Sequence, residues 1–228
     1  MSVQSISPAA VLARIWEIYR DQFSVLVSTA VALYAIQFVF TLVLSTAAAF
    51  ALGILFWALA ILYQGMVVKL VKDVQDGHRD HSVRDLIRSV EPVFWPLAAV
   101  SILVGLGIAV GFILLIIPGL ILMVIWSVVA PVTVLERPGV FAAFGRSREL
   151  VRGNGWNVFG VIVVVFLSVV VVSVAAGLLA GSLGSVGRAL VQWALDSALA
   201  PITALSASVL YFALGGGPGV TPTSWSVP

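Results

Sequence analysis

Four stretches of this chain contain no charged side chain: Gln22 to Val68, Pro92 to Leu135, Gly153 to Gly187 and Ser197 to Pro228, which are 47, 44, 35 and 32 residues long. A helix crosses the ~30 Å hydrocarbon core of a bilayer in about 20 residues. The first two stretches are therefore long enough for two crossings each, and the other two for one each. A soluble fold has no use for such lengths. Only 10% of the residues are charged and the mean hydropathy is +1.14, against roughly a quarter charged in soluble domains. The expected class is all-α, a polytopic membrane protein with six transmembrane helices in three hairpins.

Local signals divide the long runs. The small-residue stretch STAAAFALG, residues 45–53, is the expected first turn, leaving spans at 23–44 and 52–71. Pro118-Gly119 is the expected second turn, because proline cannot continue a helix and glycine closes one; it separates spans at 97–117 and 120–135. The valine-rich run 158–180 shows no alternation and exceeds strand length, so it reads as a helix. Counting back from Leu214 gives a sixth span at 195–214. Together these form a single six-helix domain over residues 1–214, followed by a flexible tail at 215–228.

Charge placement orients the chain. Eleven of the twelve Lys and Arg residues fall before span one, between spans two and three or between spans four and five; only Arg188 falls on the other face. The positive-inside rule then places both termini and the long connections in the cytoplasm. The chain has no cysteine, hence no disulfide, thiol nucleophile or thiolate ligand. No basic cluster of nucleic-acid type is present. No secretory signal is expected either, since the first apolar segment is longer than a signal h-region.

Each hairpin is preceded by an amphipathic stretch. At 8–20, Val11, Ile15 and Ile18 share one arc, with Arg14, Glu17 and Arg20 opposite. At 82–91, Val83, Leu86, Ile87 and Val90 follow Ser82 and Asp85, which resemble a capping box. At 138–152, Val140, Ala143, Phe144, Ser147 and Val151 share an arc, and Arg146, Arg148, Glu149 and Arg152 fill the other. An aromatic follows each one, at Phe23, Phe94 with Trp95, and Trp156 with Phe159, as at a headgroup boundary. The expected unit is a cytoplasmic surface helix, an aromatic anchor and a hairpin.

The run Ile116 to Trp156, IIPGLILMVIWSVVAPVTVLERPGVFAAFGRSRELVRGNGW, with Pro118-Gly119, Pro131, Glu136, Arg146-Ser147, Leu150, Gly153 and Trp156 in that order, resembles the membrane domain of some bacterial glycerophosphoryl diester phosphodiesterases. The resemblance implies a six-helix domain in a bacterial cytoplasmic membrane and no catalysis in this chain. In those enzymes the chemistry resides in a separate soluble barrel whose metal is bound by acidic residues.

Few side chains suggest chemistry. DGHRDH, residues 76–81, holds both histidines, but a short polar turn before a helix cap is a solvated loop more readily than a metal site. Arg146, Arg148 and Arg152 are candidate lipid-headgroup contacts by guanidinium recognition of phosphate; the competing reading is ordinary surface pairing with Glu136 and Glu149. Tyr34, Gln37 and Thr41, with Ser45, form a polar intramembrane stripe that would line a solute path or, more commonly, bond between packed helices. Gly107 with Gly111, and Gly177 with Gly181, have the spacing of close helix contacts. Arg188, Gln192 and Asp196 share a stripe at the outer boundary of the last span, and Pro201 is placed to kink it. No cofactor is expected. The expected function is a membrane scaffold or lipid-associated accessory protein, not itself an enzyme, whose partners are membrane lipids with anionic headgroups and no nucleic acid. A protein partner or a second copy of the chain is compatible with this. The alternative is a transporter or channel for a small apolar or zwitterionic solute.

Overall fold

The computed structural model describes residues 6–43, 46–76 and 90–216, with the side chains of 36–37, 40–43, 46–52 and 54–55 excepted. Among the described residues the chain is helical, without strands. We label the helices α1 (Pro8–Asp21), α2 (Phe23–Val43), α3 (Thr46–Gln75), α4 (Phe94–Leu114), α5 (Ile116–Ile125), α6 (Val129–Leu135), α7 (Val140–Val151), α8 (Gly155–Ala180) and α9 (Ser185–Ala213); a 3₁₀ turn, Glu91–Val93, leads into α4. Four described segments are long and apolar enough to cross a membrane: Glu91–Leu114, Ile116–Leu135, Gly155–Ala180 and Ser185–Ala213.

Proline marks the start of three of the described helices. Pro8 lies at the start of α1, Pro118 in the first turn of α5 and Pro131 in the first turn of α6. In a first turn the missing N–H would have no intrahelical partner in any case. Pro118-Gly119 is therefore not the turn expected from sequence; it lies inside α5, and the chain reverses one step earlier at the extended Leu115 (φ −164°, ψ 150°). Nor is 120–135 one helix: Trp126 to Val128 interrupt it between α5 and α6. The expected turn at 45–53 is also displaced, since residues 46–53 already belong to α3. Alanine is the best helix former, and four of the residues there are alanine. Pro201, by contrast, lies inside a continuous α9.

Burial follows hydropathy in the inverse sense expected of a bundle in lipid. The least apolar of the four candidate spans, α9, has a mean hydropathy of 1.4 and is the most enclosed, with 56% of its window buried; α8, at 3.1, has only 11%. In lipid, apolar surface gains nothing by being covered, so the most apolar helix is the one left on the outside. α9 packs against α1, α2, α3, α6 and α8, and Leu205, Val209, Leu210 and Tyr211 are fully enclosed. The apolar arc of α1 meets protein: Val11, Ile15 and Ile18 are buried where α1 lies along α8 and α9. Two polar bonds fasten it. The Ile6 N–H donates to Asn154 Oδ1 at 3.1 Å, and the Tyr19 hydroxyl donates to the Ala198 carbonyl at 3.3 Å, in the turn before Pro201. The expected surface helix at 82–91 falls mostly on residues 77–89, outside the described residues, as does the tail from 217.

α4 and α5 form a tight hairpin. A Cβ on Gly111 would stand 2.9 Å from the Gly119 Cα, and one on Gly107 would enter the Trp126 ring. This glycine pair is a helix contact, as its spacing suggested. Gly177 and Gly181 meet no other described helix of this chain: a Cβ at Gly177 meets nothing within 4 Å, and one at Gly181 meets only carbonyl oxygens of its own helix.

Candidate functional site

The break between α5 and α6 creates the docking point for α7. With the helix interrupted after Ile125, the Val129 N–H turns to the Trp126 carbonyl and leaves the Ile125 carbonyl without a backbone donor. A buried carbonyl needs a partner. Ser147, fully buried on α7, donates its Oγ–H to that oxygen at 2.7 Å. Phe144 packs edge-on against Trp126, with ring centroids 5.0 Å apart. The turn that brings α7 back onto α6 places Arg137 at φ 51° and Gly139 at φ 92°. On α7 itself Ala143, Ser147 and Val151 are buried, while Arg148, Glu149 and Arg152 are exposed.

A charged knot holds the other side of α7. Glu136 accepts the Arg146 Nε–H on Oε2 at 2.9 Å and the Tyr211 hydroxyl on Oε1 at 2.8 Å; Arg146 Nη1 also lies 3.5 Å from Glu149 Oε2. Burial works against the Arg146 charge, but bonds and charge from Glu136 and Glu149 outweigh it and hold its pKa above the ordinary value. The knot ties α6, α7 and α9 together. Of the three candidate headgroup arginines, Arg146 is therefore committed to carboxylates.

Arg148 and Arg152 have a different setting. One turn apart, they lie at the end of an apolar groove of about 700 Å³ between α5, α7 and α8, lined by Ile117, Leu120, Ile121, Val124, Trp156 and Phe159 among others. Among the described residues neither guanidinium forms a hydrogen bond or ion pair, and the groove contains no acidic residue. Trp156 beside it is 85% exposed, the position of an aromatic anchor.

The remaining expected sites are less assembled. Tyr34 is half-buried beside Tyr63, with ring centroids 6.4 Å apart, and Tyr63 donates to the Leu26 carbonyl at 3.2 Å; the side chains of Gln37 and Thr41 lie outside the described residues. Gln192 Nε2 donates to Asp196 Oδ1 at 2.9 Å on α9, while Arg188, farther along the stripe, is exposed. Asp76 is near Lys72, at 3.8 Å, and the rest of DGHRDH lies outside the described residues. Among the described residues no three His, Asp or Glu side chains gather as a metal set. A second cavity of about 580 Å³ lies between α3, α4, α8 and α9, with Gln64, Ser101, Ser127, Thr203 and Ser206 among its lining. Sequence reading missed Tyr211 and Asn154; each is a lone polar group at a helix end, without a spacing pattern to reveal it.

Fold and composition together define a multi-pass helical membrane protein. Over 94 residues the chain is 35% identical to a UPF0259 membrane protein of Pectobacterium carotovorum subsp. carotovorum (strain PC1), a match covering 41% of this chain and 37% of that relative. The relative's name assigns it to a membrane and carries no activity. No family model matches the chain and no solved structure matches it. Nothing in the comparisons links the chain to glycerophosphoryl diester phosphodiesterases, so that resemblance is not upheld.

Proposed function

We propose that this chain is a non-catalytic, lipid-associated accessory or scaffold protein of a bacterial cytoplasmic membrane, with six crossings and both termini in the cytoplasm. The observation that carries this reading is α7: a helix fixed to the spans by its buried face, presenting beside an apolar groove two arginines that have no partner among the described residues. Arginines so placed attract anionic headgroups, at roughly 1 kcal/mol each. The relative's name supports the membrane setting. The test is lipid analysis of the protein purified in mild detergent. Anionic phospholipid should be enriched over its share of the source membrane; a retained pool matching the bulk composition contradicts the reading.

A second reading, transport of a small apolar or zwitterionic solute, is favoured by the 580 Å³ cavity and its hydroxyl and amide groups. Solute flux in proteoliposomes, blocked by Ser127→Trp, distinguishes it.

A further inference from the structure

We infer that the groove between α5, α7 and α8 is a seat for one anionic glycerophospholipid, its phosphate held between Arg148 and Arg152 and one acyl chain lying along α5. This deepens the lipid-associated reading and rests on it.

Three observations converge on that occupant. The first is charge: two guanidinium groups one turn apart have no carboxylate partner among the described residues, although Glu149 is the neighbour of Arg148. Glu149 is drawn to Arg146 instead, which leaves this end of the groove purely cationic. Paired guanidinium groups suit a phosphate diester, whose anionic oxygens accept charge-assisted bonds. The second is length. The ten residues of α5 rise about 15 Å, a length comparable to much of one acyl chain. A chain anchored at the Ile125 end of α5, where Ser147 fixes α7, would run along Val124, Ile121 and Leu120 to Ile117. The third is lining: apart from the arginines, those walls are aliphatic or aromatic with two glycines, Gly153 and Gly155. A soluble phosphate metabolite would gain nothing from such walls, whereas an acyl chain would. At Gly155 a Cβ would meet nothing within 4 Å, so the backbone at the start of α8 faces open space.

The test uses the full chain in nanodiscs of phosphatidylcholine containing a minor fraction of phosphatidylglycerol, with native mass spectrometry counting retained lipid. Wild type should keep one phosphatidylglycerol. Arg148→Ala and Arg152→Ala should each weaken retention about fivefold, and the double variant should lose it. Ile121→Trp fills the groove without altering charge and should also expel the lipid. Arg14→Ala and Arg188→Ala, remote from the groove, should not. Glycerol phosphate, which carries the charge but no acyl chain, should fail to displace the bound lipid. Unchanged circular dichroism and melting temperature show that a variant is folded; if Ile121→Trp fails this check, Leu120→Phe takes its place. Retention of phosphatidylglycerol by the folded double variant, or equal loss in the remote variants, overturns the seat while leaving general lipid association standing. Displacement by glycerol phosphate assigns the arginines to a soluble ligand and also overturns it. If wild type retains no anionic lipid at all, the broader reading falls too.

Discussion

Glu136 shows how much can depend on one carboxylate. It accepts from Tyr211 on one oxygen and from Arg146 on the other, so removing it strands a buried hydroxyl as well as a guanidinium. Tyr211→Phe deletes one charge-assisted bond and should cost about 1.5 to 3 kcal/mol. Glu136→Ala should cost more, because the unsatisfied Tyr211 hydroxyl adds a desolvation penalty of about 1 to 3 kcal/mol. For a chain of this size each kcal/mol lowers the melting temperature by roughly 2 to 4 °C. Thermal unfolding in detergent should therefore rank Glu136→Ala below Tyr211→Phe and both below wild type. In a double-mutant cycle the two should be strongly non-additive; simple additivity would mean that Tyr211 and Glu136 do not share a bond. The acid and the arginine were both visible in the sequence as members of a charged segment. Their partner was not, since Tyr211 is 75 residues away and only the packing of α9 brings it near.

At the scale of elements, the amphipathic patterns were legible and the turns less so. The arcs of α1 and α7 could be read because periodicity is local: Val11, Ile15 and Ile18, or Ala143, Ser147 and Val151, fall on one side of any helix that contains them. What those arcs meet depends on tertiary structure, and for α1 it is α8 and α9. Pro118 was misplaced for a related reason. A proline ends the helix before it or begins the one after it, and the Leu115 conformation that decides between them leaves no mark in composition. The same ambiguity hid the break at Trp126 to Val128, which Pro131 opens and Ser147 closes. Ser147→Ala should leave the Ile125 carbonyl unpaired, loosening α7 at a cost of about 1 to 3 kcal/mol. Gly111→Ala acts on the neighbouring hairpin, pressing a methyl group against the Gly119 backbone at a cost of about 1 to 3 kcal/mol. Single cysteines check the docking of α7, since the chain has none of its own. Positions 148, 149 and 152 should react quickly with a water-soluble thiol reagent while 143, 147 and 151 stay protected; uniform reaction would mean that α7 is not docked.

For the whole molecule, the number of crossings turns on α2 and α3. Four segments have the length and hydropathy to do so among the described residues, and the six-crossing arrangement adds α2 and α3. Their 21 and 30 residues rise about 31 and 45 Å, enough for the ~30 Å core. The position of α9 supports the larger number. It is a candidate span packed against α2 and α3, and an upright α9 in a four-span protein would leave two long apolar helices beside it without a crossing. The distribution of lysine and arginine requires an even count, which four and six crossings both satisfy, since all but Arg188 fall before Phe23, around 69–88 or at 137–152. Reporter fusions can separate the cases. With six crossings, fusions at 44–45 and at 180–187 should both report the outer side and a fusion at Pro228 the cytoplasm. With four crossings the 44–45 fusion should move to the cytoplasmic side while the other two keep their places. A fusion at 180–187 reporting the same side as Pro228 would contradict both arrangements, and with them the orientation that gives α7 its cytoplasmic leaflet.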